Sequence, residues 1–488
     1  MKTISDYLEE DYIKWANRPY ISAKRWVLCS EGRPFTAKKD AFESRTFREV
    51  IDDIRYLSKA LLNRGFEHKN IMLCSENSPE WILLYFAIMG YVGTCVPVDK
   101  EWTAHDLQNT LSAIPVSAVF VSCSKMQRFE ALKELFPDIC WFRIEDILPV
   151  LIEEGRSLTL PLSGRTDPTR TAMILFTSGT TNVPKAIPLT QENLFANWDT
   201  LYLRTPMTES DISYVFLPFH HVYTGVANIL YTLISGMRLY LNSDLKNLIP
   251  ELLEISPTVV CTVPLFLYQM YDALNDRLLD TLRHIRFLYC GGSFTEPAVK
   301  KYFIRQGVCL LEAYGTTETS SVIALALPGD PDPAANGVVL ENLTVKILDP
   351  DENGVGEIVV SGKSVSGGYL NRSDHYSEFD KDGYHTGDLG YLSADRHLYL
   401  KGRKKRMILT ANGKNVYVEE LEDMLLKNPE IKTAAVFEED HHPAASVTTD
   451  LPESRLQDYL AEINACLPRY KQIRKLYQKP DTPGGRIK

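Results

Sequence analysis

Hydrophobic positions follow two alternating spacings between about residues 45 and 125. Apolar residues recur every three to four positions in FREVIDDIRYLSKALLNRG, 47–65, which predicts a helix ending at Gly65. NIMLCSEN, 70–77, and VSAVFVS, 116–122, are short apolar runs typical of buried strands, and PEWILLYFAIMGYVG, 79–93, predicts a helix between them. This alternation predicts a parallel α/β sheet.

The same alternation resumes after residue 170. TAMILFTSG, 171–179, predicts a strand that enters a polar turn, and QENLFANWDTLYL, 191–203, predicts the next helix. RFLYCGGS, 286–293, and CLLEAYGTTE, 309–318, are two more apolar strands that each run into a glycine-bearing turn. Because ligands of open α/β sheets bind outside the carboxyl ends of strands, we expect these three strand ends to face one crevice.

The pattern changes beyond residue 335. LTVKILDPDENGVGEIVVSG, 343–362, and YHTGDLGYLSADRHLYLKGR, 384–403, alternate with a period of two residues around glycine-containing turns, as antiparallel hairpins do. Mixed α/β patterns return after the basic pentapeptide GRKKR, 402–406. We therefore expect an α/β protein with a large N-terminal body, residues 1–402, and a small C-terminal domain, residues 403–488.

The longest apolar stretch, WILLYFAIMGYVGTCVPV at 81–98, approaches the length of a membrane span. Gly90, Gly93 and Pro97 interrupt it. We interpret it as a buried helix followed by a buried strand, with a membrane span as the alternative.

The composition limits which classes of binding partner and which cellular compartment we expect. With 44% apolar and 24% charged residues, the chain resembles an ordinary soluble globular protein. A formal net charge of -10 argues against a nucleic-acid partner, since phosphate backbones are bound by clustered Lys and Arg. The nine cysteines form no CxxC pair and the N-terminus has no secretory pattern, so we expect reduced thiols and a cytoplasmic location.

The polar turn TSGTTNVPK, 177–185, raises the question of an anion site. It does not fit the phosphate loop GxxxxGK[ST], because Pro184 stands at the second glycine position and Ala186 follows the lysine. Hydroxyl and backbone donors beside one lysine still suit a phosphate. A solvated Ser/Thr turn is the alternative from this stretch alone.

Four motifs in order resemble the adenylate-forming family of acyl-CoA synthetases, luciferases and peptide-synthetase adenylation domains. They are FTSGTTNVPKAIPLTQENL at 176–194, EAYGTTE at 312–318, YHTGDLG at 384–390 and GRKKRMI at 402–408. The resemblance covers nearly the whole chain. It implies a large N-terminal body of mixed sheets and helices plus a small mobile α/β C-terminal domain.

The resemblance also implies roles for individual residues. Glu318 would bind Mg²⁺, which prefers carboxylate oxygen. His221 in LPFHHVYTG would lie near the acyl site. Lys405 would be the hinge between the domains. The ATP-binding residues would be Thr177, Ser178, Gly179, Thr180, Thr181 and Lys185 for the β- and γ-phosphates, Gly291, Gly292, Ala313, Tyr314, Gly315, Thr316 and Thr317 for adenine, and Asp388 and Arg403 for the ribose.

Taken singly, these residues also have purely structural interpretations. Tyr314 is equally compatible with a core position, Glu318 and Asp388 with helix or turn caps, and Arg403 with a surface charge. Only their occurrence together and in this order favours the nucleotide site.

The chain departs from the family pattern in two places. Asn182 and Ala186 replace the usual glycines of the phosphate loop, and Gln191 replaces a common histidine. Near the C-terminus, TPGGRIK places Arg486 where the family carries the lysine that neutralises the reacting carboxylate and α-phosphate. Arginine is a planar fork and no direct substitute for a point charge. We expect a slower first half-reaction, or a protein that binds nucleotide without efficient turnover.

The implied reaction has two steps: a carboxylic acid and ATP form an acyl adenylate, and a thiol then displaces AMP. The thiol is CoA or the pantetheine of a carrier protein, and the sequence leaves both open. LPFHHVYTGVANIL, 217–230, contains no carboxylate to pair with an α-amine, so we expect a fatty or aryl acid. Val222, Tyr223, Val226 and Ile229 suit such an acid, but are equally compatible with helix core.

Overall fold

The structure is a computed structural model. It describes residues 2–24, 41–162, 167–177, 184–330, 332–371, 378–409, 415–439, 442–465, 467 and 471–479. The chain divides into two compact units, Met1–Thr344 with Val360–Tyr384 and Val345–Val359 with His385–Lys488. The boundary predicted at 402/403 separates a large body from a small domain that would move relative to it. The two compact units do not test where such a movement would occur, so this boundary stays a prediction.

Twenty-five strands and fifteen α-helices make up the described fold. The helices are α1 Ile4–Lys14, α2 Phe47–Asn63, α3 Pro79–Ala87, α4 Ala104–Ala113, α5 Glu130–Leu135, α6 Ile144–Ser157, α7 Gln191–Arg204, α8 Val222–Thr224, α9 Tyr231–Ser235, α10 Leu248–Ile255, α11 Pro264–Asp272, α12 Asp276–His284, α13 Pro297–Arg305, α14 Val418–Leu426 and α15 Glu453–Ala465. The strands are β1 Pro19–Ala23, β2 Glu43–Thr46, β3 Asn70–Cys74, β4 Thr94–Pro97, β5 Ala118–Val121, β6 Cys140–Arg143, β7 Thr171–Thr177, β8 Lys185–Thr190, β9 Ile212–Val215, β10 Arg238–Leu241, β11 Val259–Thr262, β12 Phe287–Gly291, β13 Leu310–Tyr314, β14 Ala324–Leu325, β15 Val338–Val339, β16 Leu343–Leu348, β17 Gly356–Gly362, β18 Phe379–Asp380, β19 Gly383–Leu392, β20 Leu398–Arg403, β21 Met407–Leu409, β22 Asn415–Tyr417, β23 Ile431–Glu439, β24 His442–Thr449 and β25 Lys475–Lys479.

A six-stranded sheet in the first unit has the order β6-β5-β3-β4-β7-β8. All pairs of adjacent strands in this sheet are parallel, except for β7 and β8, which pair antiparallel. The predicted parallel α/β sheet is therefore confirmed. The apolar stretch 81–98 forms most of α3, a π-helix over Ile88–Val92 and β4, so its interpretation as a buried helix and strand is confirmed as well. Within the described ranges, no helix has the length and apolar character needed to cross a membrane.

A nine-stranded sheet in the same unit has the order β15-β14-β13-β12-β11-β9-β10-β1-β2. The strands β9 to β13 lie parallel to one another where they pair, and β14, β15 and β2 are antiparallel strands towards the edges. The three strand ends that were expected to face one crevice therefore come from two sheets, and their facing one crevice stays a prediction. β7 lies in the six-stranded sheet, whereas β12 and β13 lie in this one.

Local sequence explains where the helices begin and end. Thr46 caps α2 with a reciprocal capping box to Glu49, and Gly65 follows the helix with φ +81, a left-handed conformation that glycine adopts without strain. Ile51, Ile54 and Leu57 of α2 are fully buried, as the helical spacing predicts. Full burial stabilises each such side chain by about 1.5 to 3 kcal/mol relative to exposure.

The second unit has a core of its own. β23, β24 and β25 form a three-stranded sheet, and β21 pairs with β22. Leu421 of α14, Val447 of β24 and Leu456 and Ile463 of α15 belong to one buried cluster. The predicted return to a mixed α/β pattern after GRKKR is confirmed.

Candidate functional site

Lys185 begins β8 directly opposite Thr177, the last residue of β7. Its side chain is 14% exposed and forms an ion pair with Glu378. Its Nζ also lies 5.0 Å from the centroid of the Tyr369 ring. The Lys185 ammonium is therefore largely enclosed, beside a carboxylate and an aromatic ring.

Backbone pairing explains why Tyr369 is so close to Lys185. The amide of Leu370 donates to the carbonyl oxygen of Ala186 at 2.9 Å. The amide of Ala186 in turn donates to Oδ1 of Asn371 at 2.9 Å, and Nδ2 of Asn371 donates to the carbonyl oxygen of Pro184 at 2.8 Å. These three bonds hold residues 369–371 along the start of β8.

Glu318 lies in the 3₁₀ turn Thr317–Thr319, which follows β13. It is only 5% exposed, and its Oε1 accepts a hydrogen bond of 3.0 Å from the Tyr369 hydroxyl. Burial and the Glu318 charge together raise the pKa of Tyr369 and of Tyr384, so both phenols stay protonated donors. Tyr369 therefore connects Lys185, at the end of the β7–β8 hairpin, with Glu318, after β13.

The residues predicted to contact adenine lie around the end of β13. Ala313, Tyr314, Gly315, Thr316 and Thr317 are all half-buried, so this turn presents a partly accessible surface. Gly315 allows a close backbone approach, because an added Cβ would lie 1.7 Å from the carbonyl oxygen of Ser321.

The two glycines at the end of β12 serve different purposes. Gly291 is the register partner of Ala313, and an added Cβ there would lie 2.8 Å from the Ala313 carbonyl oxygen. It therefore lets two strands approach closely and leaves no open space of its own. Gly292 has φ +85, which favours glycine, and is exposed at the turn.

His221 precedes α8 and is exposed at the surface of the first unit. Its ring centroid lies 4.2 Å from that of His220, whose Nε2 is 3.8 Å from Oδ2 of Asp99. Desolvation, followed by the neighbouring His221, lowers the pKa of His220 to about 4. Desolvation also lowers the pKa of His221, although its side chain still reaches solvent. Both imidazoles are neutral near pH 7.

In the second unit, Asp388 and Arg403 face each other across the β19–β20 pair. Nε of Arg403 lies 2.7 Å from Oδ1 of Asp388. Asp388 is 5% exposed, whereas the Arg403 side chain is 64% exposed. The structure thus brings together the two residues predicted for the ribose. Lys405 lies in the adjacent 3₁₀ turn Lys404–Arg406.

Several predicted residues lie outside the described part of the chain: Ser178, Gly179, Thr180, Thr181, Asn182 and Arg486. Two departures from the family pattern are explained by the structure. Ala186 does not have positive φ, so alanine is unstrained there. Gln191 is buried, where Nε2 donates to the carbonyl oxygen of Met89 and Oε1 accepts from the amide of Ile4. It ties α1 to the body of the first unit.

Sequence reasoning missed Tyr369, Glu378 and Asp99. Tyr369 follows Gly367 and Gly368, a polar turn of the kind that marked the other motifs, so a signal was present. Glu378 and Asp99 carry no local signal, because their neighbours in the fold are distant in sequence.

Glu318 is a candidate ligand for Mg²⁺. The described ranges contain no group of three or more His, Cys, Asp and Glu side chains that could hold a metal ion. Mg²⁺ nevertheless fits, because it is commonly bound by one or two carboxylates together with substrate phosphates and water. Glu318 offers one such carboxylate.

Comparison with known proteins points to one family. The sequence profile described as AMP-binding enzyme matches residues 24–370. The 2-succinylbenzoate–CoA ligase of Lactococcus lactis subsp. lactis is 25% identical over 463 residues, which cover 92% of this chain and 96% of that protein. The long-chain-fatty-acid–CoA ligase heimdall of Drosophila melanogaster is 24% identical over 537 residues, covering 92% of this chain and 76% of that protein.

A solved structure shares the fold. The O-succinylbenzoate coenzyme A synthetase of Bacillus subtilis, in complex with ATP and magnesium ion, superposes with a TM-score of 0.80 at 22% identity. The match covers 97% of this chain and 95% of that one. The expected architecture of mixed sheets and helices with a C-terminal subdomain is confirmed.

Proposed function

Because this chain belongs to the AMP-binding enzyme family, we propose that it activates a carboxylic acid with ATP and then transfers the acyl group to the thiol of CoA. The observation that carries this proposal is the group formed by Lys185, Tyr369 and Glu318. It places a cation for phosphate over the ring, and a carboxylate for Mg²⁺ at the hydroxyl, of one tyrosine.

The first step joins the acid to AMP. A carboxylate oxygen of the acid attacks the α-phosphorus of ATP, the bond to the bridging oxygen of the β-phosphate breaks, and pyrophosphate leaves. Lys185, with Thr177 and the loop Ser178, Gly179, Thr180 and Thr181, binds the β- and γ-phosphates. Glu318 would hold Mg²⁺, which would supply positive charge to the polyphosphate.

Further residues bind and orient the nucleotide. Tyr314 stacks on the adenine, supported by the partly accessible turn 313–317 and by the backbone of Gly291 and Gly292. Asp388 accepts hydrogen bonds from the ribose hydroxyls, and Arg403, which already pairs with Asp388, orients this carboxylate and approaches the same ribose. Neutral His221 lies beside the acyl group and adds no charge that would bind the substrate carboxylate too tightly.

In the second step the sulfur of CoA attacks the acyl carbon, the thiol proton is lost, and AMP leaves. We place the hinge for this change at Lys405, just after the proposed boundary between residues 1–402 and 403–488. Lys405→Pro fixes φ near about −65° and is expected to abolish one half-reaction selectively. Equal loss of both half-reactions would contradict the hinge.

The relatives support CoA as the acceptor. Both curated relatives described above are CoA ligases, and their acids, 2-succinylbenzoate and a long-chain fatty acid, differ widely. They therefore favour CoA over a carrier protein and leave the acid to be inferred from this chain.

We also place the enzyme in the cytoplasm. Seven cysteines in the described ranges are free thiols, as in a reducing compartment. Locating a tagged copy of the protein by cell fractionation tests this placement, and recovery from a secreted fraction would contradict it.

Exchange of labelled pyrophosphate into ATP tests the proposed first step without CoA. Exchange that depends on an added acid is expected. Tight nucleotide binding without acid-dependent exchange would contradict the ligase function and favour a nucleotide-binding protein that has lost catalysis.

A further inference from the structure

Residues 364–371 contact the turn that carries Glu318. The amide of Ser366 donates to the carbonyl oxygen of Glu318 at 2.7 Å. Oγ of Ser320 donates to the carbonyl oxygen of Ser364 at 2.8 Å, and both of these serines are fully buried. These two bonds hold the segment against the turn that follows β13 in the nine-stranded sheet.

The same segment also contacts β8 of the six-stranded sheet. Oγ of Ser366 donates to the carbonyl oxygen of Pro188 at 2.8 Å, and the amide of Leu370 donates to the carbonyl oxygen of Ala186 at 2.9 Å. The backbone around Tyr369 is therefore held between two elements. One carries the lysine proposed to bind phosphate, and the other carries the candidate ligand for Mg²⁺.

The ring of Tyr369 is contacted on its face by a cation and by a second aromatic ring. Nζ of Lys185 lies 5.0 Å from the ring centroid. The Phe379 ring packs with 5.3 Å between centroids and an interplanar angle of 80°, which is an edge-to-face arrangement. Because the phenol oxygen is attached rigidly to the ring, these contacts also fix where the hydroxyl lies.

The Tyr369 hydroxyl donates to Oε1 of Glu318 at 3.0 Å, and Glu318 is 5% exposed. A carboxylate has about four acceptor positions on its two oxygens, so one hydrogen bond leaves positions for a cation. Hydrogen-bond partners commonly orient the carboxylates that bind metal ions, and losing such a partner costs about 10- to 100-fold in metal affinity or activity. A flexible glutamate side chain is here oriented by a donor on a fixed ring.

We infer that Tyr369 is a positioning residue whose hydroxyl holds the Glu318 carboxylate in the orientation that binds Mg²⁺ on the polyphosphate beside Lys185. The inference rests on the proposed ligase function. It gives the hydroxyl a role in binding the complex of ATP with Mg²⁺ and none in binding ATP without the metal. A purely structural role, in which the phenol only satisfies a buried carboxylate, would affect both forms of ATP equally.

Calorimetry of the full chain with ATP, once with excess Mg²⁺ and once with EDTA, separates these two roles. Tyr369→Phe keeps the ring with its contacts to Lys185 and Phe379 and removes only the hydroxyl. We expect its dissociation constant for Mg·ATP to rise about 10-fold or more, and its dissociation constant for metal-free ATP to change by less than about twofold.

Tyr91→Phe is the matched control. The Tyr91 hydroxyl donates to Oε1 of Glu9 at 2.9 Å, so this variant also removes a phenol–glutamate hydrogen bond, between two residues outside the proposed site. Both dissociation constants should equal those of the wild type. A rise for Mg·ATP as large as that in Tyr369→Phe would reveal a general effect and overturn the inference.

A second measurement combines Tyr369→Phe with Glu318→Gln. If Tyr369 acts through Glu318, adding Tyr369→Phe to the Glu318→Gln enzyme should change the dissociation constant for Mg·ATP by less than about twofold, because the two effects are then not additive. Additive effects would overturn the inference.

Equal weakening of both forms of ATP by Tyr369→Phe, or no weakening of Mg·ATP, would also overturn the inference. Acid-dependent exchange of pyrophosphate into ATP by the wild-type enzyme judges the ligase function separately. Intact exchange leaves that function standing when the inference fails. Absence of exchange with every acid tested contradicts the function itself, and the inference with it.

Discussion

The Lys185 ammonium group pairs with the Glu378 carboxylate while lying 5.0 Å from the centre of the Tyr369 ring. If Lys185 binds the polyphosphate as proposed, Glu378 competes with it for the same cation. Both partners are partly enclosed, at 14% and 30% exposure, so the competition is less screened than at an open surface.

Removing the competing charge is expected to strengthen nucleotide binding. Glu378→Gln leaves the shape of the side chain but no negative charge, so the dissociation constant for Mg·ATP should fall about fivefold, the equivalent of about 1 kcal/mol. Isothermal calorimetry measures this directly. The variant Glu341→Gln, whose carboxylate pairs with Arg204, is the matched control and should bind as wild type does. Weaker binding by Glu378→Gln would show that Glu378 orients Lys185 for the phosphate and does not compete with it.

Lys185→Ala and Glu318→Gln are expected to impair use of Mg·ATP while the fold persists. Loss of a charge-assisted contact costs about 1.5 to 3 kcal/mol, so kcat/KM for ATP should fall about 10- to 100-fold. The amide introduced by Glu318→Gln would retain an oxygen that accepts from Tyr369. Lys301→Ala, at an exposed position, controls for loss of a lysine elsewhere. Full activity of both variants, with the thermal stability of the wild type, would show that Lys185 and Glu318 do not belong to the site.

The two neighbouring histidines predict a pH dependence of stability. The pKa of His220 is about 4 in the folded protein, below its ordinary value of 6.5, so the unfolded chain binds more protons between these values. The contribution of His220 to the free energy of unfolding should therefore be fully present above pH 6.5. It should be lost as the pH drops towards 4, by up to about 3 kcal/mol. Asp99 partly opposes the shift, whereas His221 and Lys100 reinforce it.

Urea unfolding at about pH 7.5, 6 and 5 measures this slope. His220→Asn should flatten it, because asparagine does not titrate. A variant with the slope of the wild type would show that the acid sensitivity arises elsewhere.

The variant Arg486→Lys restores the lysine that the family carries at this position and tests the effect of the arginine on the first step. If a compact cation suits the α-phosphate better than a guanidinium, the rate of acid-dependent pyrophosphate release should rise about 10-fold. CoA transfer from preformed adenylate should barely change, and Arg486→Ala should slow the first step. A slower first step in Arg486→Lys would mean that arginine is the better-adapted residue in this enzyme.

The local spacing of hydrophobic and polar residues predicted the strands and turns, because these depend on residues that are close in sequence. The strands before Lys185 and Glu318 are recognisable because their apolar runs end at polar turns. The sheet to which each strand belongs was not predictable, since hydrophobic spacing does not specify which strands pair. β7 and β13 accordingly occupy different sheets.

Contacts distant in sequence account for the remaining differences. Glu378 is separated from Lys185 by 193 positions and Tyr369 from Glu318 by 51, so neither contact leaves a local signal. Gln191 looked like a departure within the phosphate motif. Its hydrogen bond to the amide of Ile4, 187 positions away, explains the glutamine as part of the packing of α1.

The products of a single turnover test the central claim most directly. Enzyme, ATP labelled at the α-phosphate, Mg²⁺ and each acid of a panel of fatty and aryl acids are mixed without CoA, quenched and separated, and CoA is then added to a parallel sample. Acyl adenylate and pyrophosphate in equal amounts are predicted first, followed by equal amounts of AMP and acyl-CoA once CoA is present. Formation of ADP and phosphate, or of AMP at the same rate without any acid, would contradict the account.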